Sequence, residues 1–278
     1  MRFGGPFIGK YTDPESWSNS LKEWGFRSTF CPLPIGAPDA DIKAVKKAAQ
    51  ESDIVIAEVG VWNNPIDVDP AKRRIAMDAC KAGLALADEI GARCCVNCAG
   101  TLNPEHWFGP HPDNFTDRGF NLVVESIREI IDSVKPVRTW YTLEPMGFIL
   151  PDSTQAYLEI IKAVDRERFA VHFDPVNLIN SPRKYFRSGD LVKEFVQTLG
   201  QHIRSCHIKD LILTTDLTVN LKEIRAGLGG FDCATFLREI RNLDPDMPVL
   251  MEHLENEGEY RLAASYIRSV IKTEGISL

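Results

Sequence analysis

Eight short apolar runs, each followed by an amphipathic stretch, set the tightest limit on what this chain can become. The runs, rich in Val, Ile, Phe and Cys, cover 2–8, 26–31, 53–60, 92–99, 138–145, 168–174, 203–209 and 247–253. Helical candidates lie between and after them at 14–24, 39–51, 70–90, 116–135, 153–164, 189–199, 233–242 and 258–273. Several open on a start signal: Asp13-Pro14-Glu15, Asp69-Pro70 and Asp152-Ser153 put a capping side chain beside the first turn. Within 70–90, Ile75, Ala79, Ala82 and Leu86 recur at the helical period and are expected to face the core. Strand–helix alternation also suits a doubly wound sheet, but eight units is the number of a (β/α)8 TIM barrel. No Pro-, Gly- or Ser-rich linker divides the 278 residues, so residues 1–278 are expected to form one domain.

Composition narrows the class of partner. The chain has 32 Lys and Arg against 39 Asp and Glu, a net charge of −7, which gives no electrostatic footprint for nucleic acid. No apolar run reaches about 18 residues, so no membrane span is expected. The start, MRFGGPFIGK, lacks the basic opening and long apolar stretch of an export signal. Seven cysteines, an odd number set among apolar neighbours, fit a reduced, cytoplasmic setting. Cys95 and Cys98 have the spacing of a zinc knuckle, yet they would face opposite sides of a strand and no second pair follows. With Cys94 they read as buried small hydrophobes.

A TIM barrel carries its chemistry at the C-terminal ends of its strands. Glu144 ends the fifth run, Asp174 the sixth, His207 and Lys209 the seventh, and Glu252 the eighth. Three carboxylates and one imidazole make a hard, mostly oxygen donor set for one divalent ion: Mn²⁺, Mg²⁺ or Co²⁺, with Zn²⁺ as a further option. Without a cation, three converging carboxylates would repel and raise one another's pKa. A single acidic residue at a strand end is usually a cap or a surface ion pair, but four polar residues closing four consecutive strands are hard to explain by capping.

At these positions the chain resembles the xylose-isomerase-like barrel superfamily of sugar isomerases and epimerases. The resemblance is carried by Leu143-Glu144-Pro145, His172-Phe173-Asp174-Pro175, Cys206-His207-Ile208-Lys209-Asp210 and Leu250-Met251-Glu252-His253, with the glycine turn Gly227-Leu228-Gly229-Gly230-Phe231-Asp232. It implies that Glu144, Asp174, His207 and Glu252 bind one metal ion and that Glu144 and Glu252 act as acid and base. Departures matter too. The abasic-site nucleases of the superfamily have a His three residues after the Asp of the sixth strand, where this chain has Asn177. Ketose 3-epimerases share that His and add a second Glu, at a place that reads Leu150 here. Inosose dehydratases and the metal-binding subunits of C-glycoside deglycosidases, which act on 3-oxo-glucosides, also belong to the superfamily.

Isomerisation, epimerisation beside a ketone and β-elimination from a keto-sugar share one first step. A base removes the proton next to a carbonyl, and a cation stabilises the enediolate. The expected substrate is a small sugar or polyol ketone, converted by a metal-dependent isomerase or epimerase. The alternatives are a lyase and a sugar-binding subunit, and either a homo-oligomer or a partner subunit is compatible with the sequence. Candidate substrate contacts are Lys209, which alternation points inward with His207, Trp62 and Asn63 after the third run, and Arg225 before the glycine turn. His106 belongs to the Pro- and aromatic-rich segment 102–114, a candidate lid with Trp107 and His111. His172 lies under Asp174 as a possible support for a ligand, whereas His253 is expected to point away from the lumen.

Overall fold

The aspartates that open the helices do what their positions predict. Asp13 accepts from Ser16 N at the start of α1 (Pro14–Glu23), and Asp69 accepts from Ala71 N and Lys72 N at the start of α3 (Pro70–Ile90). At α5 (Thr154–Val164) the cap is Ser153 rather than Asp152, accepting from Ala156 N. The remaining helices are α2 (Asp39–Glu51), α4 (Asp117–Val134), α6 (Pro182–Phe186), α7 (Ser188–Leu199), α8 (Cys233–Arg241) and α9 (Glu257–Thr273). They alternate with strands β1 (Arg2–Gly4), β2 (Ser28–Phe30), β3 (Val55–Gly60), β4 (Cys94–Asn97), β5 (Trp140–Leu143), β6 (Phe169–Phe173), β7 (Ile203–Ile208) and β10 (Pro248–Met251).

In this computed structural model, which describes residues 1–277, those strands pair in parallel and close in the order β1-β10-β7-β6-β5-β4-β3-β2. The expected TIM barrel is thus the observed fold. Each strand buries one face against the helices and the other in the lumen. Tyr141 and Phe173 point outward, reaching Cys80 of α3 and stacking on Phe195 of α7 at 4.0 Å. Alternation therefore sends Thr142 and Glu144, and His172 and Asp174, inward. No described helix is long and apolar enough to cross a membrane.

Two features differ from the sequence expectation. The buried face of α3 keeps the expected Leu86 but otherwise runs through Ala76, Cys80, Gly83 and Ala87, leaving Ile75 exposed. Small residues decide that face: a Cβ on Gly83 would come within 2.2 Å of Val61 Cγ1, so the helix backbone packs directly on the loop after β3. The second difference is an insertion after β7. Strands β8 (Asp210–Leu213) and β9 (Leu221–Ile224) form an antiparallel hairpin outside the barrel, a two-stranded element not anticipated above.

Candidate metal centre

Glu144, Asp174, His207 and Glu252 converge, each offering one donor atom within 4.8 Å of the others. All four are buried. His207 Nδ1 lies 2.9 Å from Glu252 Oε2, 3.7 Å from Glu144 Oε1 and 4.0 Å from Asp174 Oδ2. Asp174 Oδ1 is held by the backbone N–H groups of Val176 and Asn177, which leaves Oδ2 directed at the cluster. The Asn177 amide donates to Glu144 Oε1 at 2.7 Å. Thus the position where related patterns have a His supplies a neutral donor that fixes one carboxylate.

Lys209 lies between two of these acids. Its Nζ is 2.6 Å from Asp174 Oδ2 and 2.5 Å from Glu252 Oε1, and 3.6 Å from Glu223 on β9. Burial would disfavour its charge, but Asp174, Glu252 and Glu144 outweigh burial and hold its pKa well above the ordinary value. The two glutamates are driven apart. Burial lifts Glu144 to about 7, opposed by His207 and reinforced by Glu252 and Asp174. For Glu252 burial is outweighed by His207 and Lys209, which hold its carboxyl well below the usual range.

The donor set fits a divalent cation. Asp174 Oδ2, completely buried, takes its compensating charge in this structure from Lys209 Nζ at 2.6 Å, and His207 Nδ1 faces the same point. Three buried carboxylates and an imidazole brought this close are an oxygen-rich donor set that a divalent cation matches in charge.

The candidate substrate contacts divide into two groups. Lys209 is at the centre, as alternation predicts. Arg225 stands at its edge, its Nε donating to Glu259 Oε2 at 2.8 Å. Arg225, Glu223 and His253 line a pocket of about 620 Å³ between the hairpin and the loop after β10. Trp62 is 40% exposed and folds back over β3, its Nε1 standing 2.4 Å from where a Gly60 Cβ would be. With Trp107 and Ile75 it lines a separate pocket of about 500 Å³.

The Asn63 side chain donates to Ala76 O and accepts from the Asn97 amide, so its polar atoms tie β3 to α3 and β4. The exposed His106 makes its hydrogen bond through its backbone N–H, to Asn103 Oδ1, within the segment 102–114. His111 caps a short 3-10 turn, its Nδ1 accepting from Asp113 N. His253 is a correction: at φ 55° its ring turns back to the rim, 3.2 Å from Glu223 and 3.4 Å from Glu252. The glycine turn closes on Asp210: the N–H groups of Gly227, Gly229 and Phe231, with Leu211 N, all donate to its buried carboxylate. The cysteines behave as expected, Cys94, Cys95 and Cys98 being buried and unbridged.

Sequence reasoning missed Glu58 and Glu223. Glu58 is the single carboxylate within β3 (Val55–Gly60), set among apolar residues, and that isolation was the available signal. Glu223 became visible only with the hairpin.

Comparison with known proteins agrees with this architecture. The family model of the xylose isomerase-like TIM barrel matches residues 20–270. The chain belongs to that family. No curated protein matches it by sequence. Among solved structures it is similar to a probable 3-DHS dehydratase from Bacillus anthracis, with a TM-score of 0.73, 15% identity, and 98% and 99% of the two chains covered. It is also similar to the 3-keto-D-glucoside 4-epimerase of E. coli, at TM-score 0.69 and 15% identity over 98% and 99% of the chains. A xylose isomerase-like TIM barrel protein from Mycobacterium smegmatis in complex with magnesium has a TM-score of 0.66 at 16% identity, over 95% and 91%. At such identities the likeness carries the fold.

Proposed function

We propose that the protein is a divalent-metal-dependent isomerase or epimerase of a keto-sugar, working by proton abstraction beside a carbonyl. One observation carries the reading: Glu144 and Glu252 enter the same cluster from β5 and β10, two strands with β6 and β7 between them. A substrate held there has a carboxylate on either side. Glu144, Asp174, His207 and Glu252 would hold a divalent ion, which would supply positive charge where negative charge develops on the substrate oxygens. Glu252, kept ionised by His207 and Lys209, takes the proton from carbon. Glu144, on the other side of the substrate, relays a proton from water or a substrate hydroxyl to the neighbouring carbon or the other face. Lys209 Nζ, which pairs with Asp174 and Glu252 in the metal-free chain, would be freed by the ion to donate toward a substrate oxygen. Arg225 and Trp62 supply the outer contacts, one from each of the two rim pockets.

A lyase of the same family shares the first step and differs in what leaves afterwards. It draws support from the His253–Glu223 pair beside Glu252, an imidazole whose pKa is raised, chiefly by the hydrogen bond to Glu223, and which is placed to protonate a departing oxygen. The likeness to a probable 3-DHS dehydratase points the same way.

Proton NMR in D2O with Mg²⁺, over a panel of ketoses, inososes and 3-oxo-glucosides, tests both readings. Metal-dependent deuterium entry beside the carbonyl with the sugar retained supports isomerisation or epimerisation, and exchange with loss of water or an aglycone moves the assignment to lyase. Absence of exchange on every panel member in the metal-loaded protein contradicts both.

A further inference from the structure

Beneath the metal centre the lumen contains a second polar cluster, in which Glu58 and Ser205 lie outside the sequence motifs. Glu58 on β3, His172 on β6, and Ser205 and His207 on β7 are all completely buried. Glu58 Oε1 accepts from Ser205 Oγ at 2.9 Å and lies 3.4 Å from His207 Nε2 and 3.9 Å from His172 Nδ1. Its other oxygen and both ring nitrogens of His172 have no hydrogen-bond partner among the described residues. A carboxylate taken out of water costs several kcal/mol unless a charged or hydrogen-bonding partner compensates it. Nothing in the packing of β3, whose neighbouring residues Ile56, Ala57 and Val59 are apolar and buried, calls for one.

His207 links this cluster to the metal centre, and its two nitrogens face opposite ways. Nδ1 looks toward Glu252, Glu144 and Asp174, and Nε2 toward Glu58. A neutral imidazole has one N–H and one lone pair, and only the lone pair binds a cation. Glu58 Oε1 at 3.4 Å from Nε2 is not yet in hydrogen-bond geometry, and Glu252 Oε2 at 2.9 Å is the nearer carboxylate to Nδ1. Once a cation takes Glu252 and the Nδ1 lone pair, the N–H is left on Nε2 with Glu58 as the acceptor facing it. The His172 ring crosses that of His207 at 72° with centroids 4.1 Å apart, which holds the imidazole against rotation.

We propose that Glu58 is a positioning residue of the metal centre, reaching across the barrel from β3 to hold the His207 N–H at Nε2 so that Nδ1 is presented to the ion. Carboxylates that orient a ligating histidine typically change metal affinity about 10–100-fold when removed. Glu58 touches neither the ion nor the substrate. Its effect passes through His207.

The inference rests on the metal-site reading, and the test separates the two. Mn²⁺ binding is measured by titration calorimetry on the wild type, Glu58→Gln and Glu58→Leu. Long-range proton–nitrogen correlation on the Zn²⁺-loaded wild type identifies which nitrogen of His207 carries hydrogen. The expected result is Mn²⁺ binding weakened about 10–100-fold in Glu58→Leu and less in Glu58→Gln, whose amide oxygen still accepts, with hydrogen on Nε2 in the wild type. Ser205→Ala, which frees Glu58 Oε1 with little change in volume, gives a smaller loss and serves if the Glu58 variants do not fold. Folded variants with wild-type Mn²⁺ affinity, or Zn²⁺ on Nε2, overturn the role of Glu58 and leave the metal centre standing. A wild type that binds no Mn²⁺ overturns both.

Discussion

Asn177 donates its side-chain amide to Glu144 Oε1 at 2.7 Å, bridging the ends of β6 and β5. The bond fixes one oxygen of Glu144 and leaves the other carboxylate oxygen for a cation or a proton. An amide does this without adding charge, whereas a histidine there would carry its own titration into the site. Replacing either glutamate by its amide keeps the shape of the centre and removes the proton acceptor. Glu144→Gln and Glu252→Gln are therefore expected to lower kcat on the true substrate by at least about 10²–10⁴-fold, with secondary structure retained by circular dichroism. A Glu252→Gln protein of wild-type activity contradicts the assignment.

Metal binding should depend on pH through Glu144. Burial lifts its pKa to about 7 in the metal-free protein, so below that value the carboxyl carries a proton. A cation takes the ionised form, and binding releases the proton. Apparent Mg²⁺ affinity should thus rise up to about tenfold per pH unit below pH 7 and level off above it, one proton being displaced. Calorimetry in buffers of different ionisation enthalpy measures that proton directly. By the same linkage, Glu144 stabilises the metal-free fold at low pH, and that contribution is lost as pH rises toward and through about 7.

His172 acts in the opposite direction. Burial, with the neighbouring charge of His207, lowers its pKa to about 4. The unfolded chain takes up a proton near the ordinary histidine value, which the native ring refuses. The stability His172 confers is present above about pH 6.5 and is lost as pH falls toward 4. Between about pH 6.5 and 5 this amounts to roughly 2 kcal/mol. In His172→Phe that part of the acid sensitivity disappears, so the difference in urea midpoint between pH 7 and pH 5 shrinks. An unchanged difference argues against a buried neutral His172.

Lys209 compensates Asp174 and Glu252 directly, at 2.6 and 2.5 Å. Lys209→Met leaves those carboxylates facing one another, and breaking a buried pair of this kind costs about 3–5 kcal/mol. The metal-free variant should melt well below the wild type, with saturating Mg²⁺ restoring most of the difference by mass action. Equal melting temperatures without metal would show that Lys209 does not neutralise the cluster.

Much of this was legible in the chain because it depends on local periodicity. The strand ends at Glu144, Asp174, His207 and Glu252 follow from apolar runs and alternation, which need no knowledge of long-range contacts. Glu58 meets Ser205 and His207 across the lumen, and a contact that exists only once the barrel has closed leaves no spacing signal. His253 was misread because alternation assumes a strand, and a backbone at φ 55° has left it. Asn63 stands near the right rim but spends its hydrogen bonds on Ala76 and Asn97. On α3 the expected Leu86 is buried but Ile75 is not, because the helix also packs by backbone approach at Gly83, which a count of large apolar residues misses.

The most direct test of the metal centre is an anomalous difference map from crystals grown with Mn²⁺. The account predicts one peak per chain, about 2.0–2.2 Å from His207 Nδ1 and from a carboxylate oxygen each of Glu144, Asp174 and Glu252, with the Lys209 ammonium moved off those oxygens. A peak between Glu58 and His172, or no peak at these four side chains, contradicts it.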